Sequence, residues 1–232
     1  MRLDKFLTIV SNISRKDSKN VLKQGLVKVN NIVVKDGSVH INENKDQIMV
    51  NDKLMTYQEH IYIMLNKPEG VISATQDNFH KTVIDLLTDY QGQELFPVGR
   101  LDIDTLGLLL ITNDGALAHK LLSPKKHVEK TYYLKTSMPL TSLDMQRIEH
   151  GVMIDGKLTL PSKIIEGNEG YNLTITEGKY HQVKRMIKAV GKEVIYLKRI
   201  KFGPLALDQT LSPGSYRPLT TLEVELLNNL DI

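Results

Sequence analysis

Cysteine and long apolar runs are the features that this sequence of 232 residues lacks most clearly. The absence of cysteine excludes disulfide scaffolds, thiolate nucleophiles and cysteine-based zinc sites. No uncharged apolar run approaches the roughly 18 residues that a membrane-spanning helix needs. The N-terminal stretch carries Asp4 and Lys5 within its short apolar segment, which is not typical of a signal peptide. We therefore expect a cytoplasmic protein that makes no use of a membrane.

The common cofactor and metal motifs are also missing. The sequence contains no phosphate-loop lysine motif, no GxGxxG, no GxSxG and no HExxH, and its seven histidines are scattered. The segment that starts at Asp102 and reaches Gly107 resembles the beginning of a calcium-binding loop. However, Leu106 occupies the fifth position, which needs an oxygen ligand, and Asn113 occupies the twelfth, which needs a bidentate glutamate. We expect no metal ion and no organic cofactor.

The pattern of apolar residues predicts an α+β protein of two domains, covering residues 1–59 and 60–232. In the first domain, apolar residues at helical spacing predict two helices, and Asn30-Asn31 lies between two short strands. In the second domain, strands such as YYLKTS, NLTIT and EVIYLKRI alternate with helices such as TSLDMQRIEHG and HQVKRMIKAVG. TVIDLLTDY is also predicted to be a helix. Glycine-rich phosphate loops are missing, so a mainly antiparallel sheet is expected rather than a doubly wound fold.

Positive charge is concentrated in two regions, although the formal net charge is only +3. Residues 1–35 contain eight Lys or Arg against two Asp, and Arg15, Lys19 and Lys23 share one face of the second helix, with Lys16 beside them. Residues 179–201 contain eight Lys or Arg against one Glu. A solvated helix face is one interpretation of the first region. A polyanionic partner explains the unbalanced charge better, and two basic regions indicate nucleic acid.

The stretch GRLDIDTLGLLLITNDG places Asp102 and Asp104 directly before a run of leucines. A carboxylate beside a buried strand is costly unless something uses or neutralises it. From spacing alone, Asp102 could equally pair with Arg100 or cap a turn. SPKKHVEKTYYL is basic and contains a tyrosine pair, which suits phosphate binding and base stacking, although a strand with one core tyrosine is an equally ordinary interpretation.

Taken together, these stretches resemble the RsuA-type pseudouridine synthases, which isomerise a uridine in ribosomal RNA. The resemblance rests on LNKPEGVISA, GRLDIDTLGLLLITNDG, EKTYYL, EGKYHQVKRM and LSPGSYRPLT, and it covers nearly the whole chain. It implies a small N-terminal S4 (αL-like) RNA-binding domain followed by a catalytic domain with a mixed, mainly antiparallel sheet flanked by helices.

The resemblance also implies roles for individual residues. Asp102 would be the essential catalytic aspartate, Tyr132 would stack on the target uracil, and Lys184 would pair with the aspartate. Arg100 and Thr105 would shape the loop around the site, whereas Asp104 and Asp114 are assigned to turns. The apolar run that follows, residues 108–111, is expected to keep water out of the site. The residues expected to contact RNA are Arg2, Lys5, Arg15, Lys16, Lys19, Lys23, Lys28, Lys130, Lys179 and Arg185.

The expected reaction is conversion of one uridine of 16S ribosomal RNA to pseudouridine, by family resemblance the uridine at 16S position 516. The glycosidic bond would be cleaved with the help of Asp102, the base rotated, and C5 attached to the sugar. The expected partner is ribosomal RNA, either free or within a partly assembled small subunit, and the protein is expected to be a monomer. A synthase acting on 23S ribosomal RNA and a non-catalytic protein that binds ribosomal RNA are the alternatives.

Overall fold

The computed structural model describes residues 1–230 except 12, 44, 56 and 58. Within that range, no helix has the length and apolar character required to cross a bilayer. The backbone forms two compact units. The first comprises Met1–His60 together with Thr88–Glu94, and the second comprises Ile61–Leu87 and the chain from Leu95 onward.

The first unit combines two helices with a small antiparallel sheet in the strand order β2-β1-β3-β4. Its elements are α1 (Leu3–Val10), α2 (Arg15–Lys23), β1 (Val27–Val29), β2 (Ile32–Val33), β3 (Ile48–Val50), β4 (Lys53–Met55) and a 3₁₀ turn at Thr88–Tyr90. Leu3, Phe6 and Leu7 lie on one face of α1 and form the buried core together with residues of α2 and the sheet. Asn30 and Asn31 both have positive φ, which suits the tight turn between β1 and β2. The predicted helices and hairpin are confirmed.

The second unit is built around one large sheet. Its elements are β5 (Tyr62–Lys67), β6 (Phe96–Pro97), β7 (Leu106–Thr112), α3 (Gly115–Leu122), a 3₁₀ turn at Pro124–Lys126, β8 (Lys130–Thr136), α4 (Ser142–His150), β9 (Met153–Ile154), β10 (Lys157–Leu158), β11 (Lys163–Glu166), β12 (Tyr171–Ile175), α5 (Gln182–Ala189), β13 (Val194–Phe202), β14 (Leu205–Ala206), β15 (Tyr216–Pro218) and α6 (Thr221–Asn228). The main strand order is β11-β12-β8-β13-β7-β5-β15. β13 and β7 run parallel, and all the other neighbouring pairs along this order are antiparallel. The predicted mixed, mainly antiparallel sheet is confirmed.

The central strand β7 explains the run of leucines. Its residues from Gly107 to Thr112 are buried on both faces of the sheet. Leu108 and Leu110 pack in a cluster with residues of α3 and α6. Because both faces of β7 are covered, its sequence is continuously apolar rather than alternating. The strand is therefore a rigid support for the loop that precedes it.

Gly107 allows β7 to approach β13 closely. Its φ is +102°, and a Cβ atom at this position would lie 2.2 Å from the backbone oxygen of Arg199 and 2.8 Å from its nitrogen. A side chain would therefore collide with backbone that cannot move aside, and the positive φ adds further strain. Glycine here brings Arg199 next to the loop that contains Asp102.

The helix predicted for TVIDLLTDY is wrong. The segment consists of bends and turns, followed by the short 3₁₀ turn at Thr88–Tyr90. The carboxylate of Asp85 accepts hydrogen bonds from the backbone and hydroxyl of Thr82, and Val83 N donates to Ile72 O at 3.0 Å. The local bonds of Asp85 and the bond from Val83 to Ile72, which lies outside the segment, replace the bonds of a helix, whose formation β-branched residues do not favour.

Arg217, in the motif LSPGSYRPLT, ties the C-terminal part of the second unit together. Its guanidinium donates to Asp208 at 2.7 Å and makes a two-pronged pair with Glu223 at 2.8 Å. Hydrogen bonds from Thr210 and Arg217 lower the pKa of Asp208 to about 2. Glu223 also closes a capping box with Thr220 at the start of α6. The motif therefore fixes the positions of β15 and α6, and its side chains do not line the cleft of about 220 Å³ in the second unit.

Candidate active site

A cleft of about 220 Å³ lies in the second unit, between the loop before β7, strands β8 and β13, and the start of α5. Asp102 and Thr105 line it from the loop, Tyr132 from β8, Lys184 from α5 and Arg199 from β13. The three residues that the family resemblance implies for catalysis, Asp102, Tyr132 and Lys184, therefore line one cavity although they are far apart in the sequence.

Lys184 forms an ion pair with two carboxylates. Its Nζ lies 3.1 Å from Asp102 Oδ2 and 2.5 Å from Asp104 Oδ1. The side chain of Asp102 is 28% exposed and that of Asp104 is 53% exposed. The assignment of Asp104 to turn structure alone is therefore wrong, because its carboxylate also contacts the cation beside Asp102. Asp114 does form a cap: its Oδ1 accepts from Leu117 N at the start of α3.

The ion pair favours the charged forms of Lys184 and Asp104. Burial by itself would lower the pKa of Lys184, but its hydrogen bonds to Asp104 and Asp102 and their negative charges raise that pKa above its ordinary value. Burial would likewise raise the pKa of Asp104, and the hydrogen bond and charge of Lys184 reverse this and lower it. The cation beside Asp102 thus stays protonated at neutral pH.

The segment from residue 66 to residue 73, within LNKPEGVISA, fixes the loop that carries Asp102. Gly70 N donates to Ile103 O at 2.9 Å. The hydroxyl of Ser73 exchanges hydrogen bonds with the backbone N–H and C=O of Leu101, each at 3.0 Å. Within the loop, Thr105 N donates to Asp102 O at 3.0 Å. These bonds preset the position of the carboxylate before any ligand arrives.

Lys67 is the central anchor of this loop, and the sequence analysis did not identify it. Its side chain is fully buried, and its Nζ donates to Thr105 O at 2.9 Å, Pro68 O at 3.0 Å and Ile103 O at 3.3 Å. Burial lowers the pKa of Lys67 to about 8, and the charges of Asp104 and Asp102 act in the opposite direction. A lysine at the end of an apolar strand is the signal that could have pointed to it.

Replacing Lys67 by methionine tests this positioning role. Methionine keeps most of the volume but leaves three backbone carbonyls without their donor, two of them in the Asp102 loop, so Asp102 loses its fixed position. We expect the turnover number on RNA to fall about 10- to 100-fold with little change in KM, because a displacement of about 1 Å at a reacting group has effects of this size. Steady-state kinetics measure the two parameters. Lys157→Met, at an exposed position of β10, is the control; a loss confined to KM would contradict the role.

His181 is a further group at the cleft that the sequence analysis did not assign. Its Nε2 lies 3.5 Å from Asp102 Oδ1, whereas Lys184 Nζ contacts the other oxygen, Oδ2. Its ring stacks on the ring of Tyr180 with 3.8 Å between centroids, and Tyr180 is 72% exposed. His181 has a left-handed backbone (φ 48°) immediately before α5. The motif EGKYHQVKRM thus brings both an imidazole and an ammonium group to Asp102.

Tyr132, Leu197 and Arg199 lie side by side at the cleft. Tyr132 is only 8% exposed, and it pairs directly with Arg199 across the antiparallel strands β8 and β13. Directly opposed residues project from the same face of a sheet. The other cleft-lining apolar residues include Leu101, Val183 and Phe202.

The apolar run of β7 does not line the cleft. The side chains of residues 108–111 are fully buried within the core of the unit. The expectation that this run keeps water out of the site is therefore wrong, because its side chains point alternately to the two faces of a covered strand. Leu197 and Phe202 of β13 and Leu101 of the loop supply the apolar lining.

The two predicted supporting residues differ in environment. Thr105 is buried, and its backbone carbonyl is bound by Lys67. Arg100 is exposed and lines both the cleft and an adjoining hollow of about 520 Å³. In the described part of the chain, the guanidinium of Arg100 has no ion-pair partner, so it is available to a bound anion.

The predicted RNA-contacting residues fall into three groups. Arg15, Lys16, Lys19 and Lys23 of α2, and Lys5 of α1, are exposed and lack an ion-pair partner among the residues that the structure describes. Four others are paired with carboxylates: Arg2 with Asp4, Lys28 with Asp52, Lys179 with Glu177 and Arg185 with Asp155. Lys130 is half-buried, donates to Val128 O at 2.7 Å, and has its pKa lowered by burial to about 8.

Comparison with known proteins identifies the class. The family model described as RNA pseudouridylate synthase matches residues 61–189, and the S4 domain model matches residues 1–46. The chain belongs to the RNA pseudouridine synthase family and carries an N-terminal S4 domain. It is an isomerase that acts on RNA, so the alternative of a non-catalytic RNA-binding protein is set aside, and the family resemblance found in the sequence is confirmed.

Several individual proteins match nearly the whole chain. The chain is 50% identical to the uncharacterized RNA pseudouridine synthase YtzG of Bacillus subtilis, with 98% of each chain covered. It is 40% identical to ribosomal small subunit pseudouridine synthase A of Haemophilus influenzae, covering 98% of this chain and 99% of the relative. A crystal structure described as a pseudouridylate synthase superposes with a TM-score of 0.69 at 40% identity, covering 98% of this chain and 99% of the other.

Proposed function

We propose that this protein converts a uridine of 16S ribosomal RNA to pseudouridine and that Asp102 is the group that acts on the sugar. The observation that carries the proposal is the position of the Asp102 carboxylate. It contacts Lys184 at 3.1 Å at the mouth of a cleft whose other walls include an aromatic ring, Tyr132. A charged carboxylate beside a base-sized apolar surface suits cleavage of a glycosidic bond.

The reaction requires the C1′–N1 bond to break and a C1′–C5 bond to form. Asp102 can attack C1′ as a nucleophile, or it can remove the C2′ proton so that a glycal forms. Both routes need an ionised carboxylate, and both are supported by the ammonium of Lys184, which lies 3.1 Å from that carboxylate. Because the carboxylate is held by its loop and by Lys184, little reorganisation is needed when the sugar arrives.

Tyr132 is proposed to hold the detached base. Its ring lines the cleft and is almost fully buried against the sheet, so one face is supported by protein. A uridine inside folded RNA must leave its stack to reach Asp102, and an aromatic ring compensates about 1–3 kcal/mol of the stacking that is lost. The apolar lining from Leu197 and Phe202 limits the water that could react with the sugar instead of C5.

The S4 domain is proposed to contribute affinity for RNA. Arg15, Lys19 and Lys23 lie on α2 at four-residue spacing, and Lys16 is beside them. Like charges at this spacing destabilise a helix by a few tenths of a kcal/mol per pair. Binding of phosphates relieves this repulsion and releases counterions. Contacts of this kind do not depend on base sequence, so the domain would strengthen capture without choosing the uridine.

The choice of 16S ribosomal RNA is supported by the named relatives in Haemophilus influenzae and Vibrio cholerae, both described as ribosomal small subunit pseudouridine synthase A. The test uses ribosomal RNA from cells that lack the gene. The purified protein is incubated separately with free 16S RNA, free 23S RNA and small subunits at successive stages of assembly, and pseudouridines are mapped by chemical modification and reverse transcription. The Asp102→Asn variant sets the background.

A single new pseudouridine in 16S RNA, at the position that the cells lack, is the expected result. A product only in small subunits would identify an assembly intermediate as the substrate and would keep the proposal. A product only in 23S RNA would contradict the proposed substrate, and no product with any of these substrates would contradict the proposed function as a whole.

A further inference from the structure

Arg199 is a buried cation with an unused hydrogen-bond donor. It is only 2% exposed, its Nε donates to Leu108 O at 2.8 Å, and its guanidinium carbon lies 5.0 Å from the ring centre of Phe202. Its Nη2 is buried and has no hydrogen-bond partner in the described part of the chain. Arg199 also lines the cleft beside Tyr132. An arginine is therefore held firmly by one nitrogen while another has nothing to bind.

Such an arrangement is costly in a folded protein. A buried donor without an acceptor destabilises the fold by about 1–3 kcal/mol, and more when the group is charged. A native structure rarely keeps such a group unless water or a ligand satisfies it. Thr105 Oγ1 is a second buried polar atom without a partner in the described part of the chain, and Thr105 lines the same cleft from the loop before β7. Two unsatisfied groups on one cleft point to a ligand with more than one hydrogen-bond acceptor.

The charges around Arg199 favour a ligand whose hydrogen-bond acceptor gains negative charge during the reaction. Among the described residues, no carboxylate forms an ion pair with Arg199. Its charged neighbour in the cleft is instead Lys130, whose pKa is lowered to about 8 by burial and, further, by the charge of Arg199. The carboxylates of the site, Asp102 and Asp104, are bound by Lys184. One side of the cleft therefore carries the acid that acts on the sugar, and the β-sheet side carries uncompensated positive charge.

We propose that Arg199 is a catalytic residue that donates a hydrogen bond from its guanidinium to a carbonyl oxygen of the target uracil, with Thr105 as a second donor, and stabilises the base as it leaves the sugar. The inference rests on the proposed function. In either route the C1′–N1 bond breaks with its electron pair going to N1, whether Asp102 forms a bond to C1′ or takes the C2′ proton. The uracil therefore leaves as an anion whose charge is shared with O2 and O4. Its C5 then bonds to C1′; this breaks the ester bond to Asp102 or, on the glycal route, is accompanied by return of the proton from Asp102 to C2′. C5 gives up its proton to solvent, and N1 takes one up.

A positively charged donor fixed beside those oxygens interacts more strongly with the anion than with neutral uridine. This is the condition for an interaction to raise the rate of the chemical step. The position of Arg199 next to Tyr132 fits the same base: the tyrosine ring would cover its face, and the guanidinium would contact its edge. Arg199 would act on the leaving base, whereas Lys184 acts on the carboxylate.

The test combines two substitutions with two modified substrates. Arg199→Lys keeps the charge and loses the planar fork, and Arg199→Gln loses the charge. Each is assayed in single turnovers on an RNA that the wild-type protein converts, and on the same RNA with 2-thiouridine or 4-thiouridine at the target. Sulfur is a weaker acceptor than oxygen. Lys198→Gln on the same strand is the control, since neighbouring residues of a strand project from opposite faces.

We expect the single-turnover rate to fall about 10²-fold in both Arg199 variants, with the dissociation constant for RNA changed less than about threefold. For the wild-type protein, one thio substitution should slow the reaction about tenfold, and this effect should disappear in Arg199→Gln. If Arg199 only supported the fold, sulfur would slow Arg199→Gln by the same factor as it slows the wild-type protein, and the inference would be overturned.

The thiouridine measurements on the wild-type protein do not depend on whether a variant folds. If neither thiouridine slows the wild-type protein, no strong donor contacts O2 or O4, and the inference fails. Thermal unfolding monitored by circular dichroism shows which variants are folded. If Arg199→Gln is not folded, Arg199→Lys is used in its place. Because wild-type conversion of the RNA is measured in the same series, failure of this inference is distinguished from failure of the proposed function.

Discussion

The Asp102→Asn variant should release no measurable tritium from RNA labelled at C5 of uracil, a loss of at least about 10³-fold. Asparagine has nearly the same shape as aspartate but is neutral, so it can neither attack C1′ nor accept a proton from C2′. Binding of the RNA should stay within about threefold of wild type, because the carboxylate makes no favourable contact with phosphates. Tritium release and a filter-binding titration measure the two quantities.

Asp104→Asn is the matched control for this experiment. Both carboxylates contact Lys184, but Asp104 is about half exposed and Asp102 is mostly covered. The Asp104→Asn variant should lose less than about tenfold in rate, since Lys184 keeps Asp102 as its partner. An equal loss of rate in the two variants would show that both substitutions act only by disturbing Lys184. Normal turnover by Asp102→Asn would remove Asp102 from the chemistry.

The Lys184→Met variant should lose about 10²-fold in turnover. The ammonium of Lys184 lies 3.1 Å from the Asp102 carboxylate. Its two acidic partners raise the pKa of Lys184, so the side chain carries a positive charge at neutral pH. Its removal takes away the hydrogen bond and the charge that lower the pKa of Asp104. Protonation of Asp104 therefore moves to higher pH, and we expect the acidic limb of the pH–rate profile to move with it, which a merely structural loss would not cause.

Two further substitutions complete this test. Lys184→Arg keeps the charge and offers a planar fork to Asp102 and Asp104, so it should retain turnover within about tenfold of wild type. Lys188→Met, one helical turn further along α5 and exposed, should leave the pH profile unchanged. A pH profile of Lys184→Met that overlays the wild-type profile would contradict the proposed role of the lysine.

Local patterns predicted those parts of the fold in which neighbouring residues make the decisive contacts. The apolar stripe of α5, Val183, Met186 and Ile187, is buried as its spacing predicts. The turn at Asn30-Asn31 forms because asparagine tolerates positive φ. TVIDLLTDY failed as a helix because its decisive partner, Ile72, lies outside the segment. The result depends on a contact that no short window contains.

The same distinction applies to the site. Asp102 could be selected from the sequence because the motif GRLDIDTLGLLLITNDG resembles the catalytic motif of the family, whereas its place before a buried strand left other roles open. Lys67, Arg199 and His181 could not be selected, because each matters through atoms remote in the chain: the carbonyls of the loop, Leu108 O and Asp102 Oδ1, respectively. For Lys130, the sequence showed a basic residue suited to a phosphate contact, and the structure places its side chain half-buried against Val128 and Phe202 at the cleft.

By itself, the sequence determined the family, the mixed sheet and the acidic residue on which the chemistry is proposed to depend, because periodicity, turn residues and long motifs are local properties of a chain. The tertiary structure decided which charges meet. Pairing of β7 with β5 and β13 brings Lys67 and Arg199 to the Asp102 loop, and the packing of α5 brings Lys184 to it. Electrostatic effects depend on distance and burial, and these are set only when the chain has folded.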